Sequence, residues 1–504
     1  MRKTLMILEV SQKQNYIFSS KKLQENASRS EDIRYVTSSE FFEHEASDLY
    51  SKQRNLINSG GGHAMLQFDD DKTAAAFAQR VTEAALRRYH GLELFAKQLP
   101  YDEKRTPGEN LLELTKALER KKSVRSSSLR RMDFGVETLD KVTFHPVRVG
   151  EEEKLNPNQL QAPEGWCFPA KFEDLAGEDN FIAVVHLDGN AMGTRVGRIY
   201  EMGAQDWDGC CARLCRFSEA IQQDFETAFQ KTVEDVIRLW GEQLTGEFLP
   251  IRPVVLAGDD VCFVTAGAIG LECARLFLEH LTAMTNSEDG KVYAACAGVA
   301  MVHRKYPFHM AYDLAEELCD NAKRFGSQID ANGGISAMDW HIEFGQFKGG
   351  LSEVRQEYVT EDDKRLELRP VTVIVPEELE EKALQATDGI RDYGFFRSMC
   401  KAMKGEYGKI ARSKIKELRN AMKQGKVESD FFLQEKEVGN LLYHCIAAGS
   451  PRSAEKSQAR QFLERLEKGQ KTVFLPFDGE DRCLLFDAIE LIDHSEWLEE
   501  VTDA

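Results

Sequence analysis

Apolar positions along this chain fall into two kinds of run. Short unbroken runs bounded by small residues predict buried strands, and apolar spacings of three and four predict helices with one buried face. The first run, Leu5-Met6-Ile7-Leu8, is too short for the core of a secretion signal and is stopped by Glu9, so it predicts a strand. Asn55–Phe68 and Pro253–Val264 each set two short apolar stretches around a tight small-residue turn, the pattern of a β-hairpin. A helix follows each. The first covers Thr73–Tyr89 with Phe77, Val81 and Leu86 on its apolar side; the second covers Leu271–Met284 with Ala274, Phe277, Leu278 and Leu281. Setting Ser59 against Ala257 aligns hairpin and helix of both segments without a gap, which predicts an internal duplication.

The surroundings of the second hairpin extend the pattern. Phe181–Leu187 reads as a buried strand ending in Asp188-Gly189-Asn190. A long helix over Arg216–Trp240 carries Phe217, Ile221, Phe225, Phe229, Val233 and Ile237 at a spacing of four. After the hairpin come a strand over Val292–Val302, a helix over Phe308–Phe325 and a strand pair over Gly334–Phe344. The order β-α-β-β-α-β-α-β predicts a ferredoxin-like core with an added element. The expected fold is α+β: two ferredoxin-like domains at 1–145 and 181–375, a linker at 146–180 and a helical C-terminal domain at 376–504.

Composition narrows the function. With 42% hydrophobic and 30% charged residues the chain can fill ordinary cores, and it has no run of the roughly 18 apolar residues that would cross a bilayer. Its net charge of −19 excludes a general nucleic-acid coat, which needs net cation density. The 11 cysteines form no CxxC pair, which argues against structural zinc; Cys262, Cys296 and Cys445 sit in apolar runs as small hydrophobes. A reducing cytoplasm is the expected location.

The chemistry concentrates in the second copy. Side by side in a ferredoxin-like sheet, Asp188 at a strand end and Asp259-Asp260 in the hairpin would bring three carboxylates together. Oxygen-only ligands suit Mg²⁺ (or Mn²⁺), and two such ions can activate a hydroxyl and stabilise a leaving pyrophosphate. Gly258 would let the backbone approach phosphates, and Lys323, near the end of its helix, would offer a point charge to a triphosphate. The first hairpin, with Gly61-Gly62 where the second has its acids, would hold no metal. Taken singly, an Asp-Asp turn is ordinary turn chemistry and Lys323 an ordinary helix-end cation; their order along the chain raises them above that.

These residues resemble the large, polymerase/cyclase-like subunit of type III CRISPR effector complexes, a family with two palm domains of nucleotidyl cyclase type. Asp188-Gly189-Asn190 with Met192-Gly193, Ala257-Gly258-Asp259-Asp260, Ala322-Lys323 and Leu368-Arg369-Pro370 are similar to its second palm; Ser59-Gly60-Gly61-Gly62 is similar to its metal-free first hairpin; Leu485–Leu491 is similar to its small helical domain. The resemblance implies Asp188, Asp259 and Asp260 as catalytic metal ligands. It implies Gly189, Asn190, Gly193, Gly258, Lys323 and Ser59 through Gly62 as nucleotide contacts. It also implies ATP as substrate, a cyclic oligoadenylate messenger as product, and antiviral defence as the setting. Joining AMP to S-adenosylmethionine, a decayed scaffold and a template-dependent polymerase stay open beside it.

Four departures from the family pattern bear on activity. The chain starts almost at the first palm, so no HD nuclease domain and no DNA cleavage are expected, and 146–180 holds only Cys167 where relatives have zinc-binding cysteines. Asn190 replaces a second acid. Ala257 replaces a glycine, harmless with ordinary backbone angles and damaging if positive φ is required. Two basic stretches run against the overall charge. One, Arg120-Lys121-Lys122, Arg125 and Arg130-Arg131, reads as a mobile loop. The other, Lys401–Lys426, reads as an amphipathic helix whose basic face suits RNA or neighbouring subunits of a guide-RNA complex, with a solvated face the equal alternative. No membrane role is expected.

Overall fold

The computed structural model describes residues 3–124, 160–436, 464 and 472–499, with short breaks at 19, 21, 176–179, 203–205, 242–243, 245, 346–349, 405–410 and 478. The N-terminal apolar run forms β1 (Thr4–Ser11), buried on both faces. It lies antiparallel between β3 (His63–Phe68) and β4 (Glu93–Pro100), and β2 (Leu56–Gly60) pairs with β3, giving the sheet order β2-β3-β1-β4. That is a ferredoxin-like half. The helix after its hairpin, Asp71–Arg88, buries Ala74, Phe77, Val81 and Ala85. Leu86, expected on that face, is 55% exposed. One residue past Ala85 turns the side chain about 100° away from the stripe.

The second half repeats the arrangement. β5 (Phe181–Gly189), β6 (Ile251–Ala257), β7 (Asp260–Ala266) and β8 (Ala295–His303) stand in the order β8-β5-β7-β6. β9 (Ser336–Glu343) joins parallel to β8, the helix Phe308–Ile329 supplying the crossover that a parallel pair requires. The strand pair expected over Gly334–Phe344 is therefore one strand. Its second partner, β10 (Val371–Ile374), comes from farther along the chain. The long helix begins at Trp207, not Arg216, because Asp206 caps it by accepting from the Gly209 N–H at 3.0 Å. A further helix, Met192–Met202, precedes it. Along the long helix the buried stripe passes from Val233 to Val236, leaving Ile237 only partly buried. A spacing of four advances about 40° beyond a full turn each time, so the stripe moves over by one residue.

The duplication is present but its register is not ungapped. The closing pair of the first hairpin is Gly60 with His63, and that of the second is Ala257 with Asp260. Gly61 therefore matches Gly258, Gly62 matches Asp259, and His63 matches Asp260. A single-turn 3-10 helix, Gly267–Ile269, sits between strand and helix in the second copy. Each half also opens its first helix after a non-glycine residue at positive φ, Gln12 at 51° and Ala191 at 56°.

The C-terminal region holds helices Tyr393–Lys404, Arg412–Gln424, Lys426–Glu435 and Phe486–Leu491. It also contains a two-stranded hairpin, β11 (Phe474–Phe477) with β12 (Glu480–Cys483). The single basic helix expected over Lys401–Lys426 is thus divided between elements, though Met403, Ile415, Leu418 and Met422 are buried. Much of its charge is spent within the chain: Arg419 pairs with Glu490 at 2.8 Å, and Lys401 with Glu499. Arg120, Lys121 and Lys122, expected in a loop, form the last turn of the helix Pro107–Ser123, where cations suit the helix dipole. Arg125, Arg130, Arg131, Lys409, Ile410 and Cys445 lie outside the described residues. Cys262 and Cys296 are buried. No helix among the described residues is long and apolar enough to cross a membrane.

Gly298 sets how closely the Phe308–Ile329 helix lies on the second sheet. A Cβ there would stand 1.9 Å from the Ala315 carbonyl and 2.4 Å from the Cys319 nitrogen, both backbone atoms that cannot step aside. Gly298→Ala is expected to cost about 3 kcal/mol or more. The substitution would also lift the helix that bears Lys323; thermal melting checks the loss of stability.

Candidate active site

Asp188, next to last in β5, stands directly opposite Asp260, the first residue of β7. Opposed residues of an antiparallel pair point to one face, so the two carboxylates share a face. Asp259 occupies the turn between. Gly258 takes φ of +70°, and neither Ala257 nor Asp259 is among the residues at positive φ. This pattern suits a type II′ turn, which needs glycine only at its first central position. Ala257 is an ordinary strand residue, so its methyl group costs the turn nothing. Gly189 is where contact is tightest: its N–H donates to the Asp259 carbonyl at 3.2 Å, and a Cβ would stand 2.9 Å from the Asp259 Cβ.

Lys323 closes the site from the helix side. Its ammonium donates to the Asp188 carboxylate and, at 3.2 Å, to the Gly189 carbonyl. Burial alone would push the Lys323 ammonium down, but the Asp188 charge outweighs it and holds the pKa above the ordinary lysine value. Burial and the Asp188 charge push both Asp259 and Asp260 up to about 6. The Asp260 side chain is nevertheless 47% exposed, so water screens part of that effect; its Oδ1 is the buried end and has no hydrogen-bond partner. His186 Nδ1 lies 3.7 Å from that oxygen, beyond hydrogen-bond reach, and burial keeps this ring below its ordinary pKa. His186 was legible as a polar residue in an apolar strand, two positions before Asp188 and so on the same face. On the outer side of the Lys323 helix opens a groove of about 950 Å³, lined by Asp320, Lys323, Arg324, Ser327 and Arg355 among others.

The donor set fits a hard divalent cation. It consists of carboxylate oxygens; burial first and then the Asp188 charge raise the pKa of Asp259 and Asp260, and the Asp260 Oδ1 is buried without a partner. Among the described residues, however, no three acidic, imidazole or thiol groups are already drawn together as ligands. Asp188 is held by Lys323 instead.

Asn190 is engaged elsewhere. Its Nδ2 donates to the Ile335 carbonyl at 2.9 Å and its N–H to the Ala294 carbonyl at 2.8 Å, tying the end of β5 to the approaches to β9 and β8. Asn190→Asp would set a carboxylate against a carbonyl. It is expected to lower stability by about 1–3 kcal/mol without tightening metal binding, which denaturation and Mn²⁺ titration would show. Gly193 lies in the first turn of the Met192–Met202 helix with open space where a Cβ would stand.

The first half meets this site across a packed seam. Phe18 lies against Tyr312 with ring centroids 4.2 Å apart, and Gln14 Nε2 donates to Glu316 at 2.7 Å. Lys13 donates to the Gly61 carbonyl, and its charge works to lower the Asp260 pKa. A Cβ on Gly61 would stand 3.7 Å from the Ala257 carbonyl, so the two hairpin turns are neighbours. Gly60 borders open space, whereas the Ser59 hydroxyl is committed to the Thr37 carbonyl at 2.7 Å. Gly61 and Gly62 both take positive φ, +56° and +76°, the type I′ pattern.

One pair of residues escaped sequence reasoning. Glu9 stands opposite His63 as Asp188 stands opposite Asp260. Lys122 reaches Glu9 at 3.1 Å and lies fifteen residues after the start of its helix at Pro107, as Lys323 lies fifteen after Phe308. The first half thus retains an acid–lysine pair without the acidic hairpin. Helix spacing was the signal that could have found it.

Known proteins match in two ways. The family model described as Cas10/Cmr2, second palm domain, matches residues 181–330. No curated protein matches the chain in sequence. Among solved structures, Csm1 in T. onnurineus is similar over 98% of this chain and 70% of its own, at 15% identity and a TM-score of 0.55. A Csm1–Csm4 cassette in complex with cA3 is similar over 97% and 69%, at 14% identity and 0.54. The same cassette with cA4 is similar over 97% and 70%, at 15% and 0.53. Such identities speak for the fold, and the fold is the two-palm arrangement described above. With its opposed acids at adjoining strand ends, the segment 181–330 matches the second palm domain of the Cas10/Cmr2 family.

Proposed function

We propose that this chain is a Mg²⁺-dependent nucleotidyltransferase that joins the 3′-oxygen of one ATP to the α-phosphorus of another with release of pyrophosphate, making a cyclic oligoadenylate-type messenger in type III CRISPR defence. The observation that carries this reading is the opposition of Asp188 and Asp260 across β5 and β7, with Asp259 in the adjoining turn and Lys323 at its edge. The cA3 and cA4 complexes of similar Csm1–Csm4 cassettes support it. Asp188, Asp259 and Asp260 would hold the cations, which when bound activate the hydroxyl and neutralise the leaving pyrophosphate.

Lys323 already neutralises one acid and stands beside the groove, so its ammonium is placed to turn toward phosphate charge. The first half, with glycines in its hairpin and the Glu9–Lys122 pair behind them, would position the second nucleotide without metal. Exposed Lys414 and Lys416 on the Arg412–Gln424 helix leave a smaller basic surface than the sequence suggests for RNA or a neighbouring subunit.

The test is pyrophosphate release and product mass from ATP with Mg²⁺, with the chain in its guide-RNA complex and target RNA present. Oligoadenylates are expected. Absence of pyrophosphate, with or without S-adenosylmethionine, would overturn the reading.

A further inference from the structure

The helix Trp207–Trp240 turns an apolar stripe to the core, but one polar side chain on it reaches the acidic hairpin. Gln222 Oε1 accepts from the Gly258 N–H at 2.6 Å, and Gln222 Nε2 donates to the Leu256 carbonyl at 3.1 Å. The amide therefore bridges Ala257, holding the backbone on both sides of it. An N–H can only donate and a carbonyl only accept, so the partners fix which end of the amide is which. Nε2 also donates to Glu226 at 2.5 Å, one helical turn along, which keeps the amide from rotating.

The turn needs such a hold. The two central residues of a two-residue hairpin lie outside the strand ladder, so Gly258 makes no ladder hydrogen bond of its own. Gly258 is also unpacked: nothing lies within 4 Å of the place a Cβ would occupy. From the other side the turn is held by Gly189, whose N–H donates to the Asp259 carbonyl at 3.2 Å. Asp259 and Asp260 follow Gly258 directly, so a swing of that peptide moves both carboxylates relative to Asp188.

We propose that Gln222 is a positioning residue for the acidic pair: it fixes the Gly258 turn in the conformation that presents Asp259 and Asp260 together with Asp188, and it touches neither substrate nor metal. This rests on the nucleotidyl-transfer reading. It also takes the Gly258 N–H away from phosphate binding, so the contribution of Gly258 is its backbone conformation and not a donor.

Gln222→Met keeps the side-chain volume and removes all three hydrogen bonds. In the assembled complex kcat should fall about 10²-fold, the cost of small misplacements, with KM for ATP changed less than about threefold. Mn²⁺ bound by the isolated chain, read by electron paramagnetic resonance, should weaken about tenfold, as when a group supporting metal ligands is lost. The melting temperature should move by no more than about 4 °C. Exchanging the two side chains, Gln222→Glu with Glu226→Gln, keeps an acceptor for the Gly258 N–H but loses the donor to the Leu256 carbonyl, and should recover part of the lost kcat. It carries the test if the methionine variant folds poorly. Wild-type kcat and Mn²⁺ affinity in Gln222→Met, or no recovery in the exchange variant, would overturn the inference. A wild type that binds no Mn²⁺ overturns the nucleotidyl-transfer reading itself, whereas equal Mn²⁺ binding by wild type and Gln222→Met overturns this inference alone.

Discussion

Replacing Asp259 and Asp260 together with alanine should lower product formation by about 10³-fold or more, since the two acids would act directly on charge that develops during the reaction. Complex assembly should survive, because both residues stand at the open end of the second sheet and neither makes an ion pair that holds the fold. Stability should even rise at neutral pH. Both carboxyls have folded-state pKa values of about 6, above the unfolded value near 3.9. A raised carboxyl pKa means that ionisation opposes folding above pH 6, and the opposition fades as pH falls and is gone below the unfolded pKa. In divalent-free buffer the double variant should melt above wild type at pH 7.5 and level with it near pH 3.5. Retained turnover, or loss of the complex, would contradict the assignment.

Glu272→Ala should cost about 3–5 kcal/mol, the range for removing one member of a buried charged network. Glu272 is 1% exposed and accepts from Arg397 at 2.9 Å, Arg275 at 3.1 Å, the Tyr393 hydroxyl at 3.0 Å and the Leu498 N–H at 3.2 Å. Tyr393, Arg397 and Leu498 belong to the C-terminal region, while Glu272 and Arg275 belong to the second palm. The substitution removes the carboxylate that the two guanidinium groups share at that junction, leaving Arg275 to Glu279 at 2.6 Å and Arg397 to Glu499 at 2.8 Å. Burial pushes the Glu272 carboxyl up, but Arg275 and Arg397 outweigh it and the pKa lies below the ordinary value. Its contribution is therefore present above the unfolded pKa of about 4.3 and lost as pH falls through the lower folded value. Urea unfolding should show the difference between wild type and Glu272→Ala shrinking only in strong acid; an effect under about 1 kcal/mol at neutral pH would show the network to be dispensable.

The α+β pattern was legible because each sheet is written in unbroken apolar runs and each hairpin in a cluster of small residues. The acids were legible as an order along the chain: a strand ending in Asp188, then a hairpin with Asp259 and Asp260. What sequence left out is what backbone handedness and packing decide. Gly60, Gly61 and Gly62 offer equivalent places for a turn, so the alignment of the two hairpins slipped by one residue, and only φ values and strand pairing corrected it. Asn190 resembles a degraded metal ligand until its amide is found on the Ile335 carbonyl. Gln14 meets Glu316 across the seam between the halves and Lys13 brings its charge to bear on Asp260, neither of which a local pattern records. Arg369 and Asp487 lie far apart in sequence, yet they meet at 3.6 Å in the core.

The two turn types also decide which side chains each hairpin can carry. Gly62 holds the place that Asp259 holds in the second hairpin, at φ of +76°, and a Cβ there would stand 2.7 Å from Ile33 Cγ2 and 3.1 Å from Lys13 Cε. An acid arriving at that position by mutation meets backbone strain and a steric block at once, and no single further change relieves both. The two hairpins are thus committed to different backbones, and the acidic turn of the second half cannot be copied into the first by exchanging one side chain.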